Sequence, residues 1–257
     1  MKKLLNIHLI KIVAGLVLTS LVVFDAVAQE FKIGLGKGDK LKIEELVGNI
    51  FIEQHAGSEV LVTAPSLKIP DKAKGLTMIG GAADNTGLGL NQEKSGNVLI
   101  LKGIRRKKVN YYIKVPKGVA LAVKLRSVHA GRLEVKDFDG EIEVNVTYAK
   151  VLLHNVSGPV LVNATYKGAK VVFSKVNQSK PSSIVSPYGD VDVTLPANTK
   201  ANISAESSYG DIFTNLDIKL DNGKGLQRKA KVKGTLNGGG VDIEVRSPYK
   251  NVYIRKK

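Results

Sequence analysis

The chain has 257 residues, with 39 Lys and Arg against 23 Asp and Glu, a formal net charge of +16, 26 Gly, 8 Pro and no Cys. The lack of cysteine excludes a disulfide scaffold, a thiolate metal site and a cysteine nucleophile. An apolar share of 43% with 24% charged residues is that of an ordinary folded protein and excludes a disordered or collagen-like chain.

Residues 1–28 read as a secretory signal peptide: Lys2, Lys3 and Lys11, an apolar run from Ile12 to Phe24, then the small-x-small site Ala26-Val27-Ala28. The run falls short of the roughly 20 residues that span a bilayer, so no transmembrane span is expected in a mature chain beginning at Gln29. Loss of the leader removes three Lys and one Asp and leaves a net charge of +14. An exported protein of this charge has an anionic neighbourhood to contend with or to use.

Leu41-Lys-Ile43, Asn49-Ile-Phe-Ile52 and Glu59-Val-Leu-Val-Thr63 read as opening strands. The stretch at about 65–96, rich in Gly, Pro, Asp and Asn, reads as an irregular loop, after which Asn97-Val-Leu-Ile-Leu101 and Val109 to Val115 resume strands. A period of about 20 residues then takes over. Val151, Val171, Val191, Ile212, Val232 and Val252 open successive short strands at spacings of 20 or 21. A second column is Tyr148, Tyr166, Tyr188, Tyr209 and Tyr249, with His129 in the slot before it. Four residues ahead of these stand Leu125, Val144, Val162, Ile184, Ala205 and Val245. Six ahead stand Val123, Ile142, Val160, Ile203 and Ile243, with Ser182 as the polar exception.

Runs such as Gly140-Glu-Ile-Glu-Val-Asn-Val146 alternate polar and apolar residues, and no sustained 3.6-residue period follows the leader. Units of this length with one apolar face bury it only by stacking on their neighbours. The pattern predicts an all-β fold: a single-stranded parallel β-solenoid with rungs of about 20 residues, right-handed, occupying residues 29–257 as one domain. An antiparallel sandwich also suits short strands with regular Gly turns, but it does not explain a Tyr recurring in one register.

Leu46-Val-Gly-Asn-Ile-Phe-Ile52, Ala56-Gly-Ser-Glu-Val-Leu-Val62, Asp84-Asn-Thr-Gly-Leu-Gly-Leu90, Tyr112-Ile-Lys-Val-Pro-Lys-Gly118 and the closing stretch from Asn237-Gly-Gly-Gly240 to Asn251-Val-Tyr-Ile-Arg255 resemble the putative-adhesin β-strand-repeat domain of unknown function in bacterial envelope proteins. The resemblance covers nearly all of the mature chain. It implies stacked strands in an exported protein of the periplasm or cell surface, and carries no catalytic residues with it.

Candidate chemistry is sparse. Gly34-Leu-Gly-Lys-Gly-Asp-Lys40 lacks the Gly-Lys-Ser/Thr ending of a phosphate loop and has no helix after it. His55, His129 and His154 lie on different units, without zinc-site spacing. No metal, cofactor or nucleic-acid partner is implied. Asp190, Asp192 and Asp211 fall on one outward face, with Asp190 and Asp211 on adjacent rungs and Lys170 one rung from Asp190. Paired carboxylates at about 5–9.5 Å suit glycoside hydrolysis, and a mixed charge ladder on a solvated face is the competing reading. The Tyr column reads as a structural ladder at a tight corner, beside Ser186, Ser207 and Ser247, with sugar stacking as its functional alternative. If Val232 and Val252 share a column, Lys231, Lys233, Arg255 and Lys257 concentrate positive charge on the last two rungs. Such a patch either contacts anionic envelope glycan or lipid headgroups or guards a terminal edge against pairing. The sequence thus points to a non-catalytic, adhesin-like binding or structural module, with a polysaccharide-active enzyme using the Asp face as the alternative.

Overall fold

The computed structural model describes residues 30–68, 70–73, 76, 83–221 and 231–257. The leader expected over residues 1–28 lies outside these. Alternating apolar and polar residues make every unit extended, and the N-terminal part contains β1 (Glu30–Gly34), β2 (Lys40–Glu44), β3 (Gly48–His55), β4 (Glu59–Thr63), β5 (Leu90–Ser95), β6 (Val98–Gly103) and β7 (Tyr111–Pro116), with one 3-10 turn at Asp71–Ala73. The middle part holds β8 (Ala120–Leu125), β9 (Ala130–Lys136), β10 (Ile142–Val146), β11 (Lys150–Val156), β12 (Val160–Ala164), β13 (Ala169–Phe173), β14 (Ser182–Val185) and β15 (Val191–Leu195). The chain continues through β16 (Ala201–Glu206), β17 (Ile212–Thr214), β18 (Ile218–Leu220), β19 (Lys231–Leu236), β20 (Val241–Arg246) and β21 (Val252–Lys256).

The fold is all-β and consists of two large, mostly parallel sheets. One has ten strands in the order β1-β4-β7-β3-β9-β11-β13-β15-β21-β17; the other has eleven, β18-β19-β16-β20-β14-β12-β10-β8-β2-β6-β5. From β8 to β17 consecutive strands alternate between the sheets. The apolar residues of both form one continuous buried cluster, in which Leu121, Ile142, Val151, Val160 and Val191 are fully buried.

Strand order departs from chain order at both ends. The pair β2/β3 lies between β6/β7 and β8/β9, and the pair β20/β21 lies between β14/β15 and β16/β17. Val252 therefore sits between Val191 and Ile212. Val232 leaves that column altogether: β19 runs antiparallel to β16 in the other sheet, with Val232 opposite Ala205. The expected column needs correction elsewhere too. Val151 faces Leu133 on one side and Ala169 on the other, and Ala169 faces Val191, so the steps along this column are 18, 18 and 22 residues and Val171 belongs with Leu153 and Val193. Similarly Val144 faces Val123 rather than Leu125, and Ile142 faces Leu121. Corners of unequal length change the spacing without disturbing the stack, because parallel pairing fixes register within strands and not between them.

Ser182 holds its place in the inward column because its hydroxyl accepts the Val160 N–H at 3.1 Å, which satisfies a polar group in an apolar interior. Within the stretch expected as a loop, Leu90–Ser95 is a strand, antiparallel to β6.

Candidate functional site

Tyr148, Tyr166, Tyr188, Tyr209 and Tyr249 occupy the corners through which the chain passes from the eleven-stranded to the ten-stranded sheet. Their rings stack in the order 148, 166, 188, 249, 209, with centroids 5.1, 5.2, 5.0 and 5.1 Å apart and planes within 15° of parallel. Tyr249 precedes Tyr209 because β21 lies between β15 and β17. Face-to-face stacking covers the ring faces and turns the edges and hydroxyls outward. Tyr166, Tyr188 and Tyr249 are therefore 46–49% exposed, while the terminal Tyr209 is 78% exposed. Sugar stacking needs an open face, which this ladder offers only at its ends.

Beneath the rings the corners are tight. The buried Ser247 and Ser207 hydroxyls each donate to a carbonyl of the preceding row, Gly189 and Lys250, at 2.9 Å. Gly168 has φ +76°, and a Cβ there would lie 2.4 Å from the Asp190 carbonyl oxygen; one on Gly189 would lie 2.2 Å from the Gly168 nitrogen. Glycine at these two positions is what lets neighbouring corners approach.

A second ladder runs beside the tyrosines. Asp190 Oδ1 accepts the Asn251 N–H at 3.0 Å, and Asn251 Oδ1 accepts the Asp211 N–H at 2.9 Å. Asp190 and Asp211 are thus not on adjacent rows: Asn251 stands between them, two parallel-sheet steps or about 9.6 Å from one to the other. Asp192 accepts a hydrogen bond from Arg255 Nε at 2.9 Å and stands in register with Lys170, which the sequence spacing sets beside Asp190.

The four basic candidates do not form one patch. Lys231 and Lys233 lie on β19 opposite Glu206 and Ser204, at the Tyr-corner end of the eleven-stranded sheet. Arg255 and Lys257 lie at the far end of the strand that leaves a Tyr corner in the ten-stranded sheet. Lys231 pairs with Glu206 at 3.7 Å and Arg255 with Asp192 at 2.9 Å. β19 and β21 each lie between two strands, but β18 pairs only with Gly234–Leu236 and β17 only with Val252–Ile254, so Lys231, Lys233 and Arg255 lie beyond the reach of those outer strands.

One cluster is not apparent from the sequence pattern. Phe51 and Tyr112 stack at 4.9 Å on the outward face, with the Arg132 guanidinium 5.2 Å from the Phe51 centroid. They line a shallow groove with Glu53, Lys114, Glu134 and Lys136. The hydrogen bond from Lys136, aided by the charges of Lys136 and Arg132 and opposed by burial, holds the Glu134 carboxyl below the usual range. The one signal for it in the sequence is an aromatic residue at a polar-phase position of two strands. Among the described residues no group of three or more His, Asp or Glu is placed to hold a metal ion, and no helix is long and apolar enough to cross a membrane.

No protein-family model matches the chain, and no curated protein matches it. Among solved structures it is similar to a putative cell adhesion protein from Clostridium sporogenes, with 14% identity over 90% of this chain and 100% of that one and a TM-score of 0.43. A putative adhesin from Bacteroides fragilis shares 13% identity over 89% of this chain and 96% of its own, with a TM-score of 0.34. A putative adhesin from Parabacteroides merdae shares 10% identity over 91% and 97%, with a TM-score of 0.26. At these identities and TM-scores the likeness carries no argument about activity.

Proposed function

We propose that the chain is an exported, non-catalytic module of the bacterial envelope, periplasmic or on the cell surface, that binds anionic glycans or lipid headgroups. Its path is that of a β-solenoid whose first and last coils are threaded back between their neighbours. The observation that carries the reading is charge: a net +14 after loss of the leader, with exposed basic residues on outward strand positions such as Lys124, Lys150 and Lys170. The resemblance in sequence to envelope β-strand-repeat domains supports the compartment.

The test is binding to vesicles containing anionic headgroups and to an acidic polysaccharide across a salt series. Replacing Lys231 and Lys233 by Gln, and separately Arg255 and Lys257 by Gln, asks which pair contributes. Binding that weakens with salt and with either pair supports the proposal. Binding indifferent to both overturns it. Release of oligosaccharide that disappears in Asp190→Asn or Asp211→Asn would replace the module by a polysaccharide-active enzyme.

A further inference from the structure

The two sheets have four terminal strands, and one is unlike the others. β1, β5 and β18 each close their sheet by antiparallel pairing. The first two carry charged residues: Glu30 and Lys32 on β1, Glu93 and Lys94 on β5. β17 is the exception. It alone is parallel to its neighbour, β21; like the other three, it has no described strand on its outer side. Its residues Ile212, Phe213 and Thr214 bear no charge. Charges and a covering element are the usual means of blocking an edge; β17 has no charge within it and, among the described residues, no strand over it.

Every ladder described above ends open on this edge. Tyr209 is the outermost tyrosine, 78% exposed. Phe213 stacks on Tyr253 at 5.3 Å and is 48% exposed, so it too has a neighbour on only one side. Asp211 occupies the position at which Asp190 and Asn251 each accept the amide of the next row. Ile212 is half-buried and Thr214 exposed, where their partners Val252 and Ile254 are 0% and 1% exposed. Backbone, aromatic and carboxylate groups all present the template for one more parallel row.

We propose that this edge receives an extended segment of a partner protein, added as a parallel strand, with alternating apolar or aromatic residues and basic residues at its ends. Charge selects that occupant. Asp211 and Asp217 flank β17 in a chain of net charge +16. Two-fold pairing with a second copy would bring both sets of acidic flanks together, and like charges opposed across a sheet are destabilising. Head-to-tail stacking would present β1, whose pairing is antiparallel and whose side chains are charged. A basic strand from another protein meets neither obstacle. The proposal concerns a different surface from the anionic-ligand reading and stands or falls separately.

The probe is a dye-labelled synthetic peptide with the sequence of residues 245–257 of this chain. Added in parallel, it sets Tyr249 over Tyr209, Asn251 over Asp211, Tyr253 over Phe213 and Lys257 beside Asp217. We expect saturable binding by fluorescence anisotropy, slowed amide hydrogen exchange at Ile212–Thr214, and no binding of a scrambled peptide. Phe213→Asp and Thr214→Pro should each weaken binding about tenfold or more. The exposed-corner variant Tyr209→Asp should do the same if either change in β17 compromises folding. Three results overturn the proposal: no saturable binding, binding unchanged in all three variants, or self-association of the protein that is lost in the variants and identifies a second copy as the occupant.

Discussion

Val162 is 3% exposed and lies between Val144 and Ile184 in the inward face of the eleven-stranded sheet, while its neighbour Asn163 points outward. A carboxylate at Val162 has no partner in that column, so Val162→Asp should cost roughly 3 kcal/mol or more in denaturant unfolding, and Asn163→Asp about 0.5 kcal/mol or less. Equal tolerance would place the wrong residue inside. Tyr111 provides a second test at this scale. Its hydroxyl donates to the Leu88 carbonyl at 3.1 Å in a buried setting, and burial pushes its pKa up to about 12. A phenol whose folded pKa is raised contributes stability that is complete below its unfolded value, about 10, and is lost as pH rises towards 12. The protein should therefore lose more stability between pH 10 and 12 than Tyr111→Phe does, measured by urea midpoints across that range.

At the level of elements, the corners carry the repeating interactions and the strands carry the core. Tyr188 stacks on Tyr166 and on Tyr249, whereas Tyr209 stacks on Tyr249 alone. With aromatic pairs worth about 0.5–1.5 kcal/mol each, Tyr188→Ala should cost about twice what Tyr209→Ala does. Equal costs in denaturant unfolding would mean that burial of the individual ring, and not stacking, sets the contribution. The same corners show how much of the candidate site is legible in the sequence. The tyrosines and their Ser neighbours are legible, since a fixed offset from each alternating run places them at one corner. The separation of Asp190 from Asp211, and of Lys231 and Lys233 from Arg255 and Lys257, is not. Those relations depend on which row lies beside which, and every row offers the same backbone template and similar Val and Ile faces.

For the molecule as a whole, the consequence of strand order is mechanical. In a stack built in chain order, removing the last coil leaves the rest complete. Here the last two strands lie inside the sheets, β20 bonded to β14 and β16, and β21 to β15 and β17. Deleting residues 241–257 should therefore separate β16 and β17 from the body and abolish protection across β16–β19, while β14 and β15 stay paired with β12 and β13, measured by hydrogen exchange. If β16–β19 kept their protection, the threaded order would be wrong. Pairing across such long sequence separations also predicts slow folding relative to a helical protein of this size.

Alternation of side chains and the positions of glycine and tyrosine are local properties, and the all-β class, most of the inward residues and the corner ladder follow from them alone. Parallel pairing needs only an edge with free N–H and C=O groups and an apolar face in phase, which successive rows supply almost interchangeably. Lateral order is therefore a choice among near-equivalent long-range pairings, settled by packing of the complete chain. That choice put Asn251 between two aspartates, moved Val232 to the opposite sheet, set the C-terminal strand between β15 and β17, and left β17 as the terminal strand at that end of the ten-stranded sheet.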